Sequence, residues 1–335
     1  MKILYLVNDK DPIKVQNNDY TSDMLLHGLR DLYGKDVVDF PGSWYLYKDE
    51  AKKRDLDHSK LWGKGFCVKN LLDNFNEIDR DDIQNKIKNK YFDLIIYPSV
   101  RRKKALIEEV VKYNNKFVFI DGEDDLDIDI SASSLGLYFK RELREKKTKI
   151  EPINFAIPKQ KIIEQINLKP KNLLAPLIPG RYDTYIYDDE KIYNKMYEES
   201  IFALTYKKGG WDCFRHYEIL MNGCLPIFLN LEKCPNLTMT NLPKKKLVDI
   251  KNRYEKIIFS YSPFKYYKFR LSHITQILNH YFKSFFSSKT NLETFLENED
   301  EIFELKEQML NFTKTNLTTT HLAKYVINKS NEYLT

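Results

Sequence analysis

Short aliphatic runs alternate with stretches of helical periodicity, and this alternation restricts the possible folds more than any other feature of the chain. Ile3 to Val7 is a compact apolar run. From Ser22 to Tyr33 apolar residues recur at helical spacing (Met24, Leu25, Leu29, Leu32) until Gly34 interrupts them, and Lys35 to Phe40 reads as a second strand stopped by Pro41-Gly42. Strand, helix and strand in such quick succession form the pattern of a parallel βαβ unit, whose crossover helix covers the sheet.

The pattern returns after a polar interval that contains Trp62-Gly63-Lys64-Gly65-Phe66. Phe92 to Tyr97 reads as a buried strand, Lys103 to Asn114 as a helix, and Lys116 to Ile120 as a strand running into Asp121-Gly122-Glu123-Asp124-Asp125. Ligands of open parallel sheets sit beyond the carboxyl ends of the strands, so the loops after Val7, Tyr97 and Ile120 form the expected functional edge. Residues 150 to 180 are rich in Pro, Lys and Asn, which suits a connection. A second unit follows, with a helix over Glu190 to Glu199, a strand over Ile201 to Tyr206, a helix over Phe214 to Asn222 and a strand over Leu225 to Leu229. Beyond residue 250 the chain reads as helical.

A chain of 335 residues exceeds what one core usually serves. The expected fold is therefore α/β with two Rossmann-like domains facing a cleft. The N-terminal domain covers 1–150, a linker covers 151–180, and the C-terminal domain covers 181–335 and ends in a helical tail. Hydrophobic residues make up 42% and charged residues 30%, a balance that suits a globular protein. No apolar run reaches the length of a membrane span, and the start MKILYLVNDKDP reads as a first strand, so a cytoplasmic protein is expected. Cys67, Cys213, Cys224 and Cys234 show no CxxC pair and no metal-ligand spacing, which points to reduced, mostly buried thiols.

One segment concentrates chemistry. KKGGWDCFRHYEILMNGCLPIF, from Lys207 to Phe228, falls on a strand end, a glycine turn, a helix N-terminus and the next strand. Gly209-Gly210 permits a tight turn and close backbone approach to a ligand. The helix beginning near Asp212 offers unpaired N–H groups and the positive end of its dipole to a phosphate, with Lys207 and Lys208 just ahead of it. Arg215 and Glu218 lie three apart on one helix face. They form either a surface ion pair or a nucleotide grip, in which the guanidinium fork holds a diphosphate and the carboxylate accepts ribose hydroxyls. His216 points well around the helix from Arg215, which suits packing as much as ligand contact.

These residues resemble the donor-binding segment of glycosyltransferases of the GT-B architecture, most closely the exostosin-like branch. There a Gly-rich turn, an Arg and a Glu precede a Gly-Cys-x-Pro turn, here Gly209, Gly210, Arg215, Glu218, Gly223, Cys224 and Pro226. The resemblance implies that Glu218 binds the donor ribose, that Arg215 holds the diphosphate, and that the Gly223 to Pro226 turn starts a strand beside the pocket. It further implies a nucleotide diphosphate sugar as donor substrate, no tightly bound cofactor and no metal. Many retaining enzymes of this architecture carry two glutamates eight positions apart. Here Gly210 stands eight before Glu218 and Asp212 is the nearest earlier acid, so the stereochemical outcome stays open.

An inverting transfer needs a base from the other domain. Asp19 and Asp23 stand at the mouth of the first helix, where inverting GT-B enzymes often place it, although Asp19 or Thr21 equally suits a helix cap. Asp121, Glu123, Asp124 and Asp125 end a strand on the same edge, so the base is expected among Asp19, Asp121 and Glu123. Arg101 and Arg102 follow another strand end. The stretch FKRELREKK, with Lys140, Arg141 and Arg144, reads as a helix with an exposed charged face.

The acceptor is a glycan, a lipid, a protein or a modified nucleic acid. An alternative reading is a nucleic-acid-binding protein that uses the basic, aromatic region 236 to 290, where the only acids are Asp249 and Glu255. Helix packing explains that composition as readily.

Overall fold

In the computed structural model, residues 1–7, 18–261, 295–296 and 301–334 are described. The expected strands form because their aliphatic residues are buried on both faces, as parallel sheets covered by helices require. The first sheet contains β1 (Ile3–Leu6), β2 (Val37–Phe40), β3 (Leu94–Tyr97), β4 (Phe117–Asp121), β5 (Leu137–Lys140) and β6 (Ile150–Pro152). Their order is β2-β1-β3-β4-β5-β6 and every pairing is parallel, for example Ile3 beside Val37 and Leu94. The helices of this half are α1 (Tyr20–Tyr33), α2 (Lys48–Lys53), α3 (Ile83–Lys88), α4 (Ile107–Tyr113) and α5 (Ile130–Leu135).

The second sheet is smaller, with parallel strands β7 (Asn172–Leu174), β8 (Ser200–Tyr206) and β9 (Leu225–Leu229) in that order. α6 (Glu190–Glu198) and α7 (Phe214–Met221) flank β8, and α8 (Lys244–Tyr261) packs beside β9. α9 (Glu301–Asn316) lies against α7. α10 (Thr319–Leu334) returns to the first half and packs along α1. One apolar cluster runs through both halves, joining Ile3, Leu26 and Ile120 to Phe202, Leu225 and Val326.

Three elements differ from the sequence expectation. FKRELREKK is not a helix: Phe139 and Lys140 end β5, and Lys140, Arg141 and Glu142 are buried. The helix expected from Lys103 begins only at Ile107, after Leu106 takes a left-handed conformation. The proline-rich stretch after residue 150 contributes β6 and β7. The basic, aromatic region assigned to 236–290 lies outside the described residues from 262 onward. Among the described residues, no helix is long and apolar enough to cross a membrane.

The seam between α1 and α10 is close. A Cβ on Gly28 would collide with the backbone carbonyl of Thr319, while His27 Nδ1 lies 2.8 Å from Thr319 Oγ1 and its Nε2 2.9 Å from Gln160 Nε2. His27 is thus a structural residue. Gly28→Ala is expected to lower stability by about 1–3 kcal/mol through overpacking, read as a lower denaturant midpoint with unchanged slope.

Candidate active site

A cleft of about 640 Å³ opens between the two halves. The second half contributes Lys208, Gly209, Gly210, Asp212, Cys213, Phe214, Arg215 and Glu218, all from the carboxyl end of β8 and the start of α7, together with Tyr185, Tyr187 and Tyr193. The first half contributes Tyr20, Trp62, Gly63, Lys64, Phe66 and Asp124. Tyr20 stacks on Phe214 with ring centroids 4.4 Å apart, a direct contact across the cleft.

Arg215 and Glu218 do not pair. Glu218 accepts a hydrogen bond from the Tyr193 hydroxyl at 2.8 Å, and burial raises its pKa. The Arg215 guanidinium donates from Nη2 to the Tyr185 hydroxyl at 3.2 Å and lies over the Tyr185 ring, while its buried Nε has no partner. The surface ion pair, the bland alternative, is thereby replaced by a cation and a carboxylate that line one cleft separately. Lys208 also lines the cleft, whereas Lys207 lies outside it with its ammonium 5.8 Å from the centre of the Trp211 ring.

The glycines of the turn are required by a different neighbour from the one expected. A Cβ on Gly209 would collide with the Asp124 carboxylate, and one on Gly210 with the Glu142 carboxylate, so the turn makes room for two acids of the first half. These acids belong to a clasp around a buried arginine. Arg141, 1% exposed, donates from Nε to the Gly122 carbonyl at 2.9 Å and from its two terminal nitrogens to the Asp212 carbonyl and the Asp124 carboxylate. Its guanidinium lies 4.5 Å from the centre of the Phe155 ring. Glu142 Oε1 accepts from the Asp212 N–H at 2.9 Å.

Asp212 completes the clasp and is not free for a ligand. Its carboxylate accepts from the Phe155 N–H at 2.9 Å and the Tyr217 hydroxyl at 2.8 Å, and burial pushes its pKa up to about 6. His216 is consumed as well. Its ring nitrogens lie 2.8 Å from Thr205 Oγ1 and 2.9 Å from the Trp211 carbonyl, and burial pushes its pKa down to about 3, so it is a neutral packing residue.

The three expected bases are not brought to the cleft. Asp19 caps α1, accepting from the Thr21 and Ser22 N–H groups and from the Ser99 hydroxyl. Asp121 is 1% exposed, pairs with Lys140 at 3.1 Å and accepts from the Tyr138 hydroxyl at 2.6 Å. Glu123 pairs with Arg102 at 2.7 Å. Asp125 pairs with Arg101. Asp23 is buried, its pKa raised by that burial, and accepts from the Tyr45 hydroxyl. Asp124, the remaining acid of that group, does line the cleft. The Trp62–Gly65 loop and the tyrosines at 185, 187 and 193 were not singled out from the sequence, because nothing in their spacing marks a site.

No family model matches the sequence, and no curated protein does. Among solved structures, a glycosyltransferase from Rickettsia africae ESF-5 superposes over 99% of this chain and 98% of its own, at 11% identity and a TM-score of 0.45. An alpha-glucosyltransferase in complex with UDP and a 13-mer DNA containing a central A:G mismatch superposes over 98% of this chain and 99% of its own, at 9% identity and the same TM-score of 0.45. At that level of likeness the reading of the cleft depends on this chain's own residues.

The Asp212 carboxyl supplies a pH signature. Its folded pKa of about 6 lies above the ordinary aspartate value of 3.8. Between those values the folded chain keeps a proton that the unfolded chain has released. The stability it adds is therefore complete below pH 3.8 and is lost as pH rises through about 6. The difference in unfolding free energy between wild type and Asp212→Asn should drift by up to about 1.4 kcal/mol per pH unit across that window. A pH-independent difference in denaturant titrations from pH 4 to 7 would contradict the assignment.

Proposed function

We propose that this protein is a glycosyltransferase of the GT-B type with an exostosin-like donor segment, moving a sugar from a nucleoside diphosphate sugar to an acceptor hydroxyl without a metal ion. The observation that carries the reading is the Arg215 guanidinium, half-buried in the cleft wall, its buried Nε without a partner and its Nη2 bonded to a phenol and not to a carboxylate. Buried cations are ordinarily compensated, so this one suits an anionic ligand. Lys208 and the positive end of the α7 dipole add to the same positive field.

In this reading 181–335 binds the donor, 1–150 presents the acceptor, and 151–180 connects them. The diphosphate lies against Arg215, Lys208 and the amino end of α7. Tyr193 occupies Oε2 of Glu218, which leaves Oε1 to accept the ribose hydroxyls. The acceptor oxygen forms a bond to the anomeric carbon as the bond from that carbon to the diphosphate oxygen breaks, and the cations stabilise the charge left on the diphosphate. Asp124 takes the acceptor proton. Arg141 holds its Oδ1, while Oδ2 projects toward Gly209 on the donor turn. Asp124 therefore replaces Asp19, Asp121 and Glu123 in the role of base.

Two measurements test the reading. A thermal-shift panel of UDP, GDP, CDP, ADP and dTDP should yield one stabilising nucleotide; at 100 times its dissociation constant the gain is about 2.7 kcal/mol. Arg215→Ala and Glu218→Ala should each lose that shift, and a wild type that responds to none of the five would overturn the proposal. Asp124→Asn should keep the shift while its turnover falls by roughly 10²–10⁴-fold.

A further inference from the structure

Trp62 is 61% exposed, an unusual place for the largest apolar side chain. Several other large hydrophobic residues are exposed, among them Tyr91, Ile130, Leu168, Tyr182 and Ile186, yet among the described residues Trp62 alone combines such exposure with a position lining the cleft. Its exposure is enforced by its backbone. The Trp62 N–H donates to Asn18 Oδ1 at 2.7 Å, and its carbonyl lies 3.3 Å from the Tyr20 hydroxyl. Gly63 follows at φ +64°, where a Cβ would collide with the Tyr20 hydroxyl, and Lys64 follows at φ +57°. Lys64 then donates to the Tyr187 carbonyl at 2.7 Å and pairs with Asp188 at 2.6 Å, fastening the loop to the second half. A loop pinned on both sides that still holds an indole in water has a built aromatic platform.

We infer that Trp62 is the acceptor platform and that the acceptor is a neutral saccharide, one ring of which stacks on the indole face. This rests on the donor reading above, because the platform and the donor cradle share one cleft. A pyranose ring has an apolar face of C–H groups and a polar edge of hydroxyls. The indole suits the first, and the polar neighbours suit the second: Ser59 lines the same cleft and donates to the Asp57 carboxylate at 2.6 Å. A nucleic acid would stack there as well, but it needs free positive charge for its phosphates. The two lysines that flank Trp62 in the loop are already paired, Lys60 with Asp57 at 4.0 Å and Lys64 with Asp188.

Isothermal titration calorimetry of the nucleotide-saturated protein with maltohexaose, cellohexaose, chitohexaose and a thymidine oligonucleotide tests the inference. A saturable binding heat is expected with one of the saccharides. Trp62→Ala should weaken its binding at least tenfold, with a smaller loss in Trp62→Phe, and both variants should keep the wild-type nucleotide thermal shift. Equal saccharide affinity in Trp62→Ala would overturn the inference. So would silence from all three saccharides, or salt-sensitive binding of the oligonucleotide in their place. If wild type lacks the nucleotide shift, the donor reading fails too; if the shift is present and the saccharide arm fails, only the platform is lost. Trp62→Phe keeps the test valid should the alanine variant fold poorly.

Discussion

The arrangement depends on one buried guanidinium. Arg141 follows β5, where the first half meets the turn and helix that form the opposite wall of the cleft, and isolating its charge from water would cost several kcal/mol. The chain answers with two carbonyls, two carboxylates and an aromatic face. That compensation has structural consequences. Glu142 must reach the Asp212 N–H and Asp124 must reach the guanidinium, and both carboxylates then lie so close to the 209–210 turn that only glycine fits there. The glycines, the acids and the start of α7 are thus one device. The turn that seemed shaped for a ligand is shaped first by the protein's own charges.

The same device separates two kinds of charge. Acids of the first half are consumed one after another, Asp19 by a helix end, Asp121 by Lys140, Glu123 by Arg102 and Asp125 by Arg101. Asp124 is shared, held by Arg141 on one oxygen while it faces the cleft. On the opposite wall the Arg215 guanidinium donates to the Tyr185 hydroxyl and lies over its ring, with the Glu218 carboxylate near but not bonded to it. An accessible acid held on one oxygen thus faces a half-buried cation whose Nε has no partner, so the two walls of the cleft carry opposite charge.

The sequence showed the strands that carry this device, since Ile3 to Leu6, Leu94 to Tyr97, Phe117 to Ile120 and Leu225 to Leu229 are apolar runs whose burial follows from composition. It also showed the segment from Gly209 to Glu218, because a glycine turn before a helix with Arg and Glu on one face is a local pattern. It hid the clasp. FKRELREKK has the composition of a solvated helix, and nothing local reveals that Lys140 meets Asp121 or that Arg141 meets Asp212, 71 residues away. Charged residues in a buried strand end are legible only through partners distant in sequence. The partners of the acids were hidden for the same reason: Asp121, Glu123, Asp124 and Asp125 at one strand end look alike until each ion pair is known.

Anchoring, finally, limits how the cleft can open. The halves are joined at its floor by the Arg141 clasp, at its rim by Lys64 with Asp188, and along its wall by Tyr20 on Phe214 and the Cys67 N–H on Glu190. The apolar cluster continues beneath, and α10 closes back on α1. Wide separation of the halves would break all of these at once, including a buried charge cluster that tolerates no partial loss. The rim contact is the cheapest to release, because Asp188 is exposed and the pair is screened by water. Of the contacts that join the halves, the one at the Trp62–Lys64 loop is therefore the one whose release leaves the Arg141 clasp and the apolar cluster untouched.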